Sequence, residues 1–195
     1  AILGATLAYL NGGNPAAGGT AAVASEAAAN YFANQYKDDP RYQNEKGELT
    51  PGVATRWQSN DNRIWTFTLR DNAKWSDGTP VTAQDFVYSW QRLVDPKTTS
   101  PFAWFAALAG INNAQAIIDG KAAPDTLGVT AVDSRTLRVQ LDKPLPWFSN
   151  LTASFAFYPV QKANVESGDN WTRPGSLIGI DHPFVKRMNY PYRGA

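Results

Sequence analysis

The clearest pattern in the chain is an alternation of apolar and other side chains over residues 64–70. Trp65, Phe67 and Leu69 occupy every second position, and the residues between them are mainly threonine. A period of two, in a segment rich in aromatic and β-branched residues, predicts a half-buried β-strand.

A helical pattern follows the turn that the sequence predicts at residues 77–80. Thr82 and Asp85 have the spacing of a variant capping box, because a carboxylate in the first turn faces the positive end of a helix. The apolar residues that follow recur at helical spacing and cover one face: Phe86, Trp90, Leu93 and Val94. We therefore expect a helix that begins at Thr82 and ends before Pro96, which lacks the backbone donor that a helix requires.

Shorter elements are predicted between residues 111 and 141. The spacing of isoleucine and alanine over 111–119 favours a second helix, and Gly120 is suited to the left-handed conformation that ends a helix. Apolar residues alternate over 127–131 and again over 137–141, which predicts an antiparallel hairpin.

The last predicted elements lie between residues 144 and 168. Pro144 and Pro146 stand where the first turn of a helix tolerates proline. Residues 155–160 have the pattern of a short strand, and residues 162–168 that of a short capped helix. Helices and strands that follow one another in this way predict an α+β fold.

The composition divides the chain into three parts. Residues 1–41 are dominated by alanine, glycine and asparagine and carry little information beyond one possible helix over 21–33. Residues 42–179 contain no internal repeat and no flexible linker, so we expect one compact unit there. Residues 180–195 form a separate tail.

Composition and charge exclude several classes of function. The 18 lysines and arginines are balanced by 17 acidic residues and are scattered, which argues against a nucleic-acid partner. The chain has no cysteine and a single histidine, His182, so neither thiolate catalysis nor a site built on several histidines can be assembled. Asp77 and Asp85 are explained by a turn and a helix cap, and no metal or cofactor is implied.

Residues 73–92 run from Ala-Lys-Trp-Ser-Asp-Gly-Thr-Pro to Tyr-Ser-Trp-Gln-Arg. This segment is similar almost throughout to the signature segment of the oligopeptide binders, and the chain therefore resembles the bacterial extracellular solute-binding proteins of family 5. The branch of the family that binds murein peptides is the most similar at three further places, which are residues 100–105, 145–148 and 164–166.

The resemblance implies a fold and a function. The expected fold is the accessory lobe of a periplasmic-binding-protein fold of class II (cluster C), a mixed sheet with packed helices, beside an incomplete base lobe. The expected function is capture of a short peptide, murein tripeptide or oligopeptide, by lobe closure in the periplasm. The peptide then passes to an ABC permease of the inner membrane, without catalysis. The alternative is a truncated fragment that acts alone as a protein-interaction or inhibitor module.

The resemblance also implies ligand-binding residues. Phe102, Trp104 and Phe105 fall on a loop that lines the peptide cleft in the family, where aromatic rings can pack against a bound peptide. Ser154 and Phe155 fall at a second position that faces the cleft. The alternative for Phe102, Trp104 and Phe105 is that their rings fill the core of the domain or cover its interface with the base lobe.

Overall fold

The computed structural model describes Leu49 and residues 51–180, and a four-stranded sheet lies at its centre. The order of strands across the sheet is β1-β2-β4-β3, and each pairing among them is antiparallel. The α+β class is confirmed, but the described strands form an antiparallel sheet and not the mixed sheet that we expected. The strands are β1 (Ala54–Gln58), β2 (Ile64–Leu69), β3 (Val129–Ala131) and β4 (Thr136–Gln140).

Helices and short 3₁₀ turns connect the strands and continue after them. Within residues 51–180, no helix is long and apolar enough to cross a membrane. The α-helices are α1 (Ala83–Val94), α2 (Ala103–Leu108), α3 (Ala114–Ile118), α4 (Phe148–Leu151) and α5 (Lys162–Val165). The 3₁₀ turns are Pro96–Thr98, Pro124–Thr126 and Phe155–Phe157.

The core lies between one face of the sheet and the helices. In β2 every second residue is buried, as the alternation predicted, and the buried residues are Trp65, Phe67 and Leu69. Trp65 lies opposite Val139 of β4, and both side chains belong to the main apolar cluster. The period of two therefore places the bulky residues of neighbouring strands on the same side of the sheet.

Helix α1 has the limits that its cap signals predicted. The backbone N–H of Thr82 donates to Oδ2 of Asp85 over 2.7 Å, and the Thr82 hydroxyl donates to the same oxygen over 3.0 Å. The helix ends at Val94, and Asp95 instead accepts a hydrogen bond from the backbone N–H of Lys97 over 2.9 Å. Local hydrogen bonding thus sets both ends of α1.

The hairpin between β3 and β4 is confirmed, whereas the second helix is shorter than expected. Helix α3 begins only at Ala114, because Asn113 adopts a left-handed conformation with φ of 64° that a helix cannot include. Ile111 instead forms a bridge with Leu141. Gly120 has a φ of 72°, as the predicted end of the helix requires.

The prediction of a strand at residues 155–160 is wrong. Residues Phe155–Phe157 form a 3₁₀ turn, in which the backbone N–H of Phe157 donates to the carbonyl of Ser154 over 3.0 Å. The turn closes on itself, so its backbone groups are satisfied without a partner strand. The expected helix at residues 162–168 is present as α5, although it ends at Val165.

Two of the three predicted parts of the chain lie mostly outside the described residues. The possible helix over 21–33 and the tail after residue 180 lie outside the described residues. The boundaries at residues 41 and 179 therefore stay predictions.

Candidate functional site

The described surface carries an exposed pair of aromatic side chains, Phe102 and Phe155. Their ring centroids lie 4.8 Å apart and the rings meet edge to face at 89°. The side chains remain 40% and 51% exposed, although large apolar residues are normally covered. The structure therefore brings together two of the five residues that the resemblance selected, from segments that are far apart in the sequence.

The position of Phe102 is set by the start of helix α2. Phe102 is the residue that precedes the first turn, and its carbonyl accepts a hydrogen bond from the backbone N–H of Phe105 over 3.0 Å. Its own N–H donates to the Ser100 hydroxyl oxygen over 3.3 Å. Its backbone is therefore held from both sides while the ring stays at the surface.

Phe155 is held by the 3₁₀ turn, which is itself docked onto helix α1. The indole Nε1 of Trp90 donates to the Phe157 carbonyl over 2.9 Å in a fully buried hydrogen bond. At the end of this segment, the Ser89 hydroxyl oxygen accepts from the backbone N–H of Val160 over 2.8 Å. Two neighbouring residues of α1 therefore fix the backbone that carries Phe155.

Phe105 lies in the core, unlike its neighbour Phe102. Only 2% of Phe105 is exposed, and its ring packs 5.3 Å from the ring of Phe157. Trp104 is half-buried and meets Phe105 edge to face at 5.5 Å. Both residues belong to helix α2, so the prediction that they lie on a loop is wrong. The geometry of Phe105 is that of a packing residue.

Ser154 is also buried, and its hydroxyl has a local role. The residue is 2% exposed, and its Oγ accepts the backbone N–H of Ala156 at 3.4 Å. It therefore caps the turn that presents Phe155. This contact positions the neighbouring ring.

The acidic residues singled out from the sequence have structural partners. The Asp77 carboxylate accepts from Nε2 of Gln161 over 2.7 Å and from the Thr79 hydroxyl over 2.6 Å. These hydrogen bonds, the one from Gln161 most strongly, lower the pKa of Asp77 below its usual range. Across residues 51–180, no group of three or more histidine, cysteine, aspartate or glutamate side chains converges on a metal site.

The sequence analysis missed how the site is supported. Trp90 was predicted as one of the apolar residues on a helix face, and it is buried as expected. Its hydrogen bond to Phe157 joins positions that are distant in the sequence, and no local pattern indicates that contact. Ser89 carries no stronger signal, since a serine within a helix usually points to solvent or bonds to its own backbone.

The fold and this surface define the class of protein. Residues 48–185 match the family described as bacterial extracellular solute-binding proteins, family 5 (middle), and the chain belongs to this family. A curated relative is the periplasmic murein peptide-binding protein MppA of Escherichia coli strain K12. It is 86% identical over 137 residues, which are 70% of this chain and 26% of the relative.

Solved structures agree with this assignment. The structure of MppA, described as a periplasmic murein tripeptide-binding protein in an unliganded open form, matches with a TM-score of 0.69 and 86% identity, over 70% of this chain and 27% of that one. The structure of Haemophilus influenzae OppA in complex with the peptide RPPGFSPFR matches with a TM-score of 0.67 and 43% identity, over the same shares. The chain thus spans about a quarter of the length of these relatives, which confirms the expectation of a partial chain.

Proposed function

We propose that this chain supplies one wall of the ligand cleft in a periplasmic binding protein that captures short peptides. The observation that carries the proposal is the exposed pair of Phe102 and Phe155. The Phe102 backbone is hydrogen-bonded at the start of helix α2, and the turn that carries Phe155 is anchored by the buried hydrogen bond from Trp90 to Phe157. Fixed aromatic faces offer apolar contact area at little cost in conformational entropy, because nothing in the wall must be ordered when the ligand binds.

Such a wall suits ligands of variable sequence. A peptide binder without strong preference needs hydrogen bonds to the peptide backbone, which every peptide offers, and apolar surfaces that accept different side chains. Phe102 and Phe155 supply the second of these requirements, and the other lobe of the complete protein supplies the rest. In this proposal Trp104, two residues after Phe102, also contributes to the wall, while Phe105 and Ser154 contribute by holding the two rings in place.

The relatives support a specific ligand class. One is named for murein peptides, and another was solved with a bound peptide. We therefore propose murein tripeptide as the preferred ligand and other short peptides as weaker ones. Closure of the lobes in the periplasm then leads to delivery to an ABC permease of the inner membrane. No step of this sequence requires a catalytic group or a cofactor.

Calorimetric titration of the complete protein tests the proposal. Murein tripeptide and unrelated dipeptides are titrated under the same conditions, and we expect tighter binding of the tripeptide. The absence of heat with every peptide would overturn the assignment.

A variant series tests the role of the aromatic pair. Phe102→Ala and Phe155→Ala should each raise the dissociation constant for the peptide about tenfold, since truncation of an anchoring ring typically costs more than 1 kcal/mol. Val132→Ala is the matched control, because Val132 is also an exposed large apolar residue but lies in the turn between β3 and β4. Equal affinity in all variants would remove the pair from the site.

A measurement of size separates this proposal from the alternative of an independent interaction module. The relatives favour solute capture. A purified native species near the 21.3 kDa of this chain that co-elutes with another protein would instead favour the module. A larger intact mass that binds peptide supports the transporter component.

A further inference from the structure

Both ends of the described domain meet at a second, smaller apolar cluster, separate from the main core. We call it the Trp75 cluster. Trp75 is at its centre and is 2% exposed. Its buried members are Ala73, Trp75 and Val81, and the residues packed against them are Val53, Phe86, Ile178 and Ile180. Val53 lies near the beginning of the described residues and Ile180 is the last of them, so both ends of the described part of the chain pack against the same cluster.

The segment that leaves the domain is held by backbone hydrogen bonds. Trp75 forms an antiparallel bridge with Ile180, and the backbone N–H of Ser76 donates to the Gly179 carbonyl over 2.7 Å. In return, the backbone N–H of Gly179 donates to the Ser76 hydroxyl oxygen over 3.3 Å. The last described residues are therefore bonded to the turn that follows Trp75.

Asn164 of helix α5 holds the same segment from the other side. Its Nδ2 donates to the Ser176 carbonyl over 2.7 Å, and its Oδ1 accepts the backbone N–H of Ile178 over 2.9 Å. The side chain is buried. A buried amide with both ends bonded to backbone fixes a segment strongly, because loss of either partner leaves a polar group unsatisfied.

Helix α1 connects the Trp75 cluster to the aromatic pair. At its beginning, Asp85 accepts from the Trp75 indole over 3.4 Å, and Phe86 packs against both apolar clusters. Further along the same helix, Trp90 holds the turn that carries Phe155. One rigid element therefore lies between the place where the chain joins the domain and the surface that we assign to the ligand.

We propose that the Trp75 cluster is the joint through which this domain is held at a fixed angle in the complete protein, and that Trp75 and Asn164 are positioning residues for peptide capture. The inference rests on the proposed function. Movement between domains takes place at such joints. A firm joint keeps Phe102 and Phe155 at a constant angle to the ligand, and a loose joint lets the wall turn away.

The joint is tested first by a distance within this chain. Because the chain has no cysteine, Val132→Cys and Leu177→Cys give two unique sites for spin labels, one in the turn between β3 and β4 and one in the segment that Asn164 holds. Trp75→Phe and Asn164→Leu should each widen the distribution of distances between the labels. Trp171→Phe is the matched control, since Trp171 lies in the same region, under Arg92, and is not a member of the cluster.

Peptide affinity of the complete protein is the second readout. Trp75→Phe and Asn164→Leu should weaken binding by about 2-fold to 30-fold, the range expected for residues that act on a ligand through coupling. Trp171→Phe should leave the affinity unchanged. Unaltered distances, or altered distances with unaltered affinity, would overturn the proposal. If the unmodified protein binds no peptide, the proposed function fails, and the distance measurement still decides whether the joint exists.

Discussion

The hydrogen bond between Trp90 and Phe157 permits a quantitative prediction for Trp90→Phe. Trp90 is 3% exposed, and its ring lies 4.7 Å from that of Phe157. The substitution removes the indole N–H and leaves the buried carbonyl without this donor, which costs about 1–3 kcal/mol. The smaller ring also loses buried surface equal to roughly two methylene groups, or about 1.5 kcal/mol. We therefore expect the free energy of unfolding to fall by about 2.5–4.5 kcal/mol.

Urea unfolding followed by far-ultraviolet circular dichroism is the suitable assay for this variant. Fluorescence is less suitable, because the substitution removes one of the seven tryptophans that supply the signal. The midpoint should fall while the dependence on urea stays the same. Trp171→Phe keeps an aromatic ring at a half-buried position outside both apolar clusters, and should lower the stability by much less than Trp90→Phe. A loss below about 1 kcal/mol for Trp90→Phe would refute the claim that this hydrogen bond anchors the turn.

Two further predictions concern the sheet and the dependence on pH. A Cβ atom at Gly128 would lie 2.6 Å from the Gln140 backbone oxygen, so Gly128→Ala should lower the thermal midpoint markedly, whereas Gly52→Ala, with nothing within 4 Å, should not. Hydrogen bonds, first from Gln161, lower the pKa of Asp77 in the folded state, so this carboxylate stabilises the fold above its unfolded pKa of about 3.9. That stability is lost as the pH falls through the lower folded pKa, and the urea midpoint of Asp77→Asn should therefore change less between pH 6 and pH 3 than that of the unmodified chain.

The elements that the sequence predicted well are those whose signals are local. Strand β2 contains its own alternation, and helix α1 contains both its cap at Thr82 and its stop before Pro96. Each signal acts within a few residues, so no knowledge of the remaining fold is needed to interpret it. The hairpin of β3 and β4 could be predicted for the same reason.

The errors arose where distant contacts decide the outcome. An apolar run such as residues 155–160 forms a strand only if a partner strand is available. Here Ser154 caps a turn, and the Trp90 indole donates to the Phe157 carbonyl within that turn, so the run forms a 3₁₀ turn and not a strand. Likewise, Phe102 and Phe105 have the same side chain in one short segment, and only the start of helix α2 determines that Phe105 faces the core.

In these two segments, the rings that stabilise the fold are different from the rings that we propose for peptide binding. Phe105 and Phe157 pack against each other inside the domain, while Phe102 and Phe155 meet outside it. Truncation of an exposed ring removes little buried surface, so the free energy of unfolding should change much less than the free energy of peptide binding. Truncation of a buried ring should lower the free energy of unfolding more than the free energy of peptide binding. It should weaken binding only by displacing its exposed neighbour. If the proposed function holds, we expect substitutions at positions 102 and 155 to change ligand preference without loss of the fold, provided that the buried rings and the capped turn behind them stay in place.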